Sequence, residues 1–352
     1  MGYNSKERAL LCYVALVAMA AVEAADANSS SVGEFNVMQY GAIAAFGAAW
    51  KAACQWKGPS HLVIPKGTFL VGPVLFKGPC PGASPMVVQV KASTDMSKYP
   101  YDDWIVFQYV DSLVVTGGRT FDGYGAYAWS LNQCPKKAHC KLLPTSLKFS
   151  FITNGAIRGI HSVDSRRLHI LLFGCKNMTA RSIKISAPAD SPNTDGIHIG
   201  SSSNITISRS RIGTSDDCIS FGPGNTQVIV KNMFCGLGHG ISVGSLGKFP
   251  KKEDVQGIHV ENCTIRDTTN GLRIKTWAGS AIEISNISFK NIRGTSSSNV
   301  AVNLLCSEAF PCQNVKLDNI KLEYNGQGEV STASCSNVKG VSAGVQMPPS
   351  CP

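Results

Sequence analysis

Four short strings between Asn193 and Lys275 can be laid one over another: D-G-I-H-I-G from Asp195, D-C-I-S-F-G from Asp217, H-G-I-S-V-G from His239 and N-G-L-R-I-K from Asn270. The first three begin 22 residues apart and the fourth 31 later. A unit this short cannot bury its own apolar face, so a chain that repeats it must stack the copies into a solenoid. Strand alternation sends Ile197, Ile219, Ile241 and Leu272 to one side, with Ile199, Phe221, Val243 and Ile274 behind them as interior columns. The opposite parity faces outward: His198, Ser220, Ser242 and Arg273, beside Gly200, Gly222, Gly244 and Lys275. Asp195, Asp217, His239 and Asn270 head the four strands, with Asp216 just before Asp217. Stacked at one corner, about 4.8 Å per coil, they gather three carboxylates, a histidine and two cations on one face.

The repeat extends beyond this stretch. N-M-T-A, N-I-T-I, Q-V-I-V, G-I-H-V, A-I-E-I and N-V-K-L place equivalent residues at 178, 205, 228, 258, 282 and 315, at intervals of 27, 23, 30, 24 and 33. The fourth segment lies beyond a charged loop, 244–254, expected to project beside the cleft. Earlier β-coils read at 61–74, 104–110 and 112–118. With 34 glycines and only 16% charged residues, the chain suits a turn-rich all-β protein. No linker or charge block divides it, so one domain is expected over 25–352.

Residues 1–24 read as a signal peptide. Lys6 and Arg8 precede the apolar run Ala9–Val22, too short for a comfortable membrane span, and V-E-A resembles a cleavage site. Nothing later is long and apolar enough to cross a membrane, so a secreted, extracellular protein is expected. Of 13 cysteines, Cys12 leaves with the signal, and twelve remain in an oxidising compartment. Short-range partners suggest Cys54–Cys80, Cys134–Cys140, Cys218–Cys235, Cys306–Cys312 and Cys335–Cys351, a connectivity that sequence alone does not fix. Cys175 and Cys263 read as buried thiols. Asn28, Asn177, Asn204, Asn262 and Asn286 stand in glycosylation sequons, though asparagine at a solenoid turn often serves the backbone instead. Neither C-x-x-C nor H-E-x-x-H occurs, so no metal site and no cofactor are expected. The formal charge of +10 fits an acidic partner. Without a basic helical face or an aromatic platform, nucleic acid is not the expected one.

The strings N-T-D (193–195), D-D-C (216–218), G-H-G-I-S-V-G-S-L-G (238–247) and R-I-K (273–275), in this order, resemble the polygalacturonases. These are pectin-degrading glycoside hydrolases folded as right-handed parallel β-helices, and the likeness is to the plant, pollen-type exopolygalacturonases over roughly 33–352. F-N-V-M-Q-Y-G-A (35–42) looks like the family's opening strand and A-A-W-K-A-A-C (48–54) like its short N-terminal capping helix. F-D-G-Y-G (121–125) matches a further family segment, in which Asp122 reads as a turn former.

The resemblance implies roles. Asp216 would be the general acid, Asp195 and Asp217 would hold and activate water to give inversion, and His239 would tune the acid. Arg273 and Lys275 would pair with galacturonate carboxylates, and Asn193 would add polar contacts. The implied partner is acidic pectin, met by a monomer in the cell wall. Another pectin hydrolase, for instance one acting on rhamnogalacturonan, fits R-I-K less well; a lyase would need calcium-binding acids and an arginine base. One departure matters. The family's coils with an N-P-x-x-x-D-type strand and a site tyrosine are missing after Trp277, where A-G-S-A-I-E-I follows at once. The alternative reading is therefore a catalytically impaired pectin-binding β-helix.

Overall fold

Alternation in strands of three to six residues, punctuated by turns, produces stacked parallel sheets. The computed structural model describes residues 32–41, 45–80, 86–87, 91–92, 103–132, 134, 140–248, 254–327 and 330–351. The signal-like segment, the Asn28 sequon and the tip of the 244–254 loop lie outside them. The chain divides into two compact units: residues through Val243 with Glu253–Arg273, and Gly244–Lys252 with Ile274–Pro352.

The first unit is a parallel β-helix. Each coil runs through sheet one, then sheet two, then sheet three, as in Ile197–Gly200, Ser203–Ser208 and Arg211–Gly213. Every sheet pairs strands of successive coils in parallel, and the sheets hold eight, seven and eight strands. The expected columns are present: Ile197, Ile219 and Ile241 lie in register, as do Ile199, Phe221 and Val243. The second column continues upstream through Leu172, Phe149, Phe107 and Phe76, whose rings stack at 5.0 and 5.1 Å. Met178, Ile205, Val228 and Ile258 form the equivalent column of sheet two. Alignment of identical positions needs identical turns. Asn154, Asn177 and Asn204 supply one, each at a φ of 54°, a conformation that asparagine tolerates. Their amides form a ladder, Asn177 Nδ2 to Asn154 Oδ1 at 3.0 Å and Asn204 Nδ2 to Asn177 Oδ1 at 2.9 Å.

The N-terminal end is capped by a helix, Ala45–Gln55, longer at both ends than the string that announced it. Trp50 is buried against Phe76 and donates its indole N–H to Lys77 O at 3.0 Å. The opening strand is shorter than expected, Gly33–Asn36. The Asn36 side chain accepts from Met38 N–H at 3.0 Å and turns the chain into a 3-10 helix over Val37–Tyr40. Asp122 is the turn residue it was read as, its Oδ1 accepting from Tyr124 N–H.

All five short-range disulfides are formed. Cys175 is buried, and burial pushes its thiol up to about 11. Cys263 is only half-buried, because the coil it follows carries the last strand of sheet two, Gln256–Glu261.

The second unit has its own parallel sheets. Ser288–Ser296, Cys312–Tyr324 and Val338–Met347 form one, and Val300–Leu305 with Thr332–Ser336 the other. Here the expected repeat fails. Ile282 lies outside the strands, and Val315 takes its register after Ile287, since Ser288 pairs with Lys316. The cause is local: Trp277–Ser280 forms a turn, with Ser280 N–H on Trp277 O at 3.1 Å and Gly279 at a φ of 73°.

Candidate active site

The heads of the sheet-one strands supply the site, because stacking puts positions 22 residues apart side by side. Asp216 and His239 meet at 3.1 Å, Oδ1 to Nδ1, and His239 N–H also donates to Asp216 O at 3.0 Å. The flanking glycines allow this approach. Gly238 has a φ of 83°, and a Cβ there would strike the Asp216 carbonyl; one at Gly240 would strike Asn270 and Gly271.

Adjacent Asp216 and Asp217 are used differently. The Asp217 side chain is 3% exposed and its Oδ1 accepts from Ser242 Oγ at 2.6 Å and from Arg273 Nη2 at 2.9 Å. The Asp216 side chain is 21% exposed, and its Oδ1 also accepts from Asp217 N–H at 2.7 Å. One carboxylate is fixed inside; its neighbour can reach a ligand.

Asp195 stands one coil upstream. Its Oδ2 accepts from Ser220 Oγ at 2.6 Å, and Ser220 in turn meets His198 Nδ1 at 2.7 Å. Burial, reinforced by the charge of Asp216 and, less, of Asp217, pushes the Asp195 pKa up to about 7, with the Ser220 hydrogen bond working the other way. A carboxyl group that changes charge near neutrality, beside two others, is the kind of splitting that acid–base chemistry uses.

Asp216, Asp217 and His239 also bring three metal-ligating atoms within 4.8 Å of one another, a cluster that linear spacing rules cannot detect. Arg273 already places a cation on Asp217, and His239 Nδ1 meets Asp216 Oδ1. Carboxylates beside a histidine are also groups that can transfer protons.

The glycosyl hydrolases family 28 profile matches residues 54–291 and 278–347. The chain belongs to this family. It is 40% identical to the exopolygalacturonase of Platanus acerifolia over 91% of this chain and 98% of that protein. It is 38% identical to the exopolygalacturonase of Zea mays, over 91% of each. Among solved structures, the polygalacturonase from Erwinia carotovora ssp. carotovora shares the fold, with a TM-score of 0.69 at 21% identity over 90% of this chain and 100% of that one. The hyperthermoactive exopolygalacturonase from Thermotoga maritima does so with a TM-score of 0.67 at 16% identity, over 87% and 91%.

Of the residues singled out in this family 28 sequence, Asp195, Asp216, Asp217, His239 and Arg273 fall into the hydrogen-bonded heads of sheet one. Asn193 is in an exposed turn at a φ of 48° and makes no side-chain hydrogen bond among the described residues. Lys275 lies in Leu272–Thr276 where the second unit begins. Ser220 and Ser242, placed in the outward column by alternation but given no role there, also belong to the network. Each donates to the aspartate 25 residues before it, one coil back. The I-S pairs at 219–220 and 241–242 were the available signal. Arg273 is also more occupied than its motif suggested, since Nε donates to Ser242 Oγ at 3.1 Å while Nη2 holds Asp217.

Proposed function

We propose that this glycoside hydrolase cleaves α-1,4-linked galacturonan by inverting acid–base catalysis, outside the cell. Asp216 gives its proton to the leaving oxygen. Asp195 and Asp217 orient and activate the water on the other face of the sugar. His239 shares a hydrogen bond with Asp216 and tunes its protonation. Arg273 fixes Asp217 and offers its remaining N–H groups to a galacturonate carboxylate, a geometry in which guanidinium excels. Lys275 supplies a second cation and Asn193 a polar contact. The names of the relatives support the substrate. The observation that carries the mechanism is the contrast between partly exposed Asp216 on His239 and buried Asp217 on Arg273. Exo action follows the exopolygalacturonase relatives, and the chain works as a monomer.

A second reading, a pectin-binding protein with slowed chemistry, is favoured by one observation. The Platanus alignment runs to 368 positions although it takes in only 91% of this 352-residue chain, so that relative carries stretches with no counterpart here.

Incubation of the purified protein with polygalacturonate, followed by reducing-end release, separates the readings. Reducing ends without ultraviolet absorbance of an unsaturated product mean hydrolysis. Binding without either means the second reading. An unsaturated product would refute both.

A further inference from the structure

The acidic site sits at the corner of each coil where sheet three passes into sheet one. Positive charge collects at another corner, where sheet two passes into sheet three. Four successive coils pass it as R-G-I-H (158–161), R-S-I-K (181–184), S-R-S-R (208–211) and K-N-M-F (231–234). These segments contain six lysines and arginines and no carboxylate. Pairing puts Arg158, Arg181, Ser208 and Lys231 in one column and His161, Lys184 and Arg211 in the next. Adjacent rungs are about 4.8 Å apart.

The scaffold beneath is fixed. Gly159, Ser182 and Arg209 all adopt left-handed backbone, and each donates its N–H to the following coil, at 3.0, 3.1 and 3.2 Å. The Arg211 guanidinium lies 4.1 Å from the Phe234 ring centre, which holds it against the surface.

An open recess of about 610 Å³ adjoins these columns, lined by Thr116, Arg158, Thr179, Arg181, Thr206 and Ser208 among others. Arg158 and Arg181 are exposed, and neither makes an ion pair among the described residues. The acid in register, Glu261, comes after Lys231 and faces it at 4.0 Å. Two guanidinium groups one rung apart repel each other until an anion lies between them. The remaining lining is threonine and serine with one glycine, and carries no aromatic ring. That suits a ligand bearing repeated carboxylates and many hydroxyls, and offers no ring to a stacked base.

We propose that this corner is a second, non-catalytic site that holds a polyuronate chain along the Arg158–Arg181 ladder. The proposal rests on the galacturonan reading for the identity of the polymer. It places a polymer-binding surface apart from the catalytic corner, and so raises local substrate concentration and adds avidity.

The test uses Arg158→Gln with Arg181→Gln, which keeps polar side chains on outward positions, and compares it with Arg158→Lys with Arg181→Lys. Affinity for long polygalacturonate is measured by affinity electrophoresis in an Asp216→Asn background, and hydrolysis of a short galacturonate oligomer in the active background. The glutamine pair should weaken polymer affinity about tenfold, reduce its salt dependence and leave kcat/KM for the oligomer unchanged. The lysine pair should retain most of the affinity. Unchanged polymer affinity would overturn the proposal, as would an equal loss on a neutral galactan. Tighter binding of the wild-type protein to anionic phospholipid vesicles than to polygalacturonate would overturn it too. Should wild type fail to hydrolyse galacturonan while the glutamine pair still loses polymer binding, the reading of the function falls and this site stands.

Discussion

Asp195→Asn isolates the electrostatic cost of the site. The wild-type carboxyl moves from an ordinary 3.8 to about 7, through burial first and the Asp216 charge second. Three pH units correspond to about 4 kcal/mol as a ceiling, and relaxation with water entry brings a realistic figure to roughly 2–4 kcal/mol. Below about pH 4 the group is protonated in both folded and unfolded chains and costs nothing. Between about pH 4 and 7 the unfolded chain releases the proton while the folded one keeps it, so wild-type stability falls as pH rises. Above about pH 7 the whole cost is present. An asparagine still accepts from Ser220 but never charges, and Asp217, Asp216, His239, Arg273 and His198 remain around it in both proteins. Urea unfolding with the disulfides intact, at intervals from about pH 4 to 7.5, should give a variant that gains on wild type by that amount across the window. With a slope near 3 kcal/mol per molar, the midpoint difference grows by about 1 M. Parallel stability curves over the whole range would refute the reasoning.

Asp216→Asn should lower the hydrolysis rate on the order of 10²–10⁴-fold with an unchanged β-rich spectrum; retention of more than about half the wild-type rate removes Asp216 as the acid. Arg273→Ala removes the guanidinium that pairs with buried Asp217, and should cost about 3–5 kcal/mol in chemical denaturation, since breaking a buried ion pair leaves the other charge inside. Arg273→Lys should recover part of that, and an alanine variant as stable as wild type would mean that the ion pair is not needed. Proton NMR of the first product from an α-linked substrate should show the β-anomer; the α-anomer would rule out inversion. Insertion of the family's absent coils after Trp277 should raise turnover without moving the pH profile, and unchanged turnover in a folded protein would count against their loss as the limiting feature.

The sequence alone determined the parallel β-helix and the corner at which the acids gather. Its repeat is local: alternation fixes which side each residue takes, and the 22-residue period fixes which residues stack. That is why the columns through Ile197 and Ile199 were legible, and why Asp195, Asp217 and His239 could be brought together without coordinates. Tertiary structure decided what those residues do to one another. Asp216 and Asp217 are chain neighbours, yet only the fold buries one on Arg273 and leaves the other open to His239. Ser220 and Ser242 act on aspartates one coil back, a diagonal offset with no signature within a single repeat. The loss of register at Ile282 came from one turn at Trp277–Ser280, which an interval of normal length concealed. Periodicity specifies which residues share a column; the depth of each carboxylate and the partner it meets depend on how the coils are laid over one another.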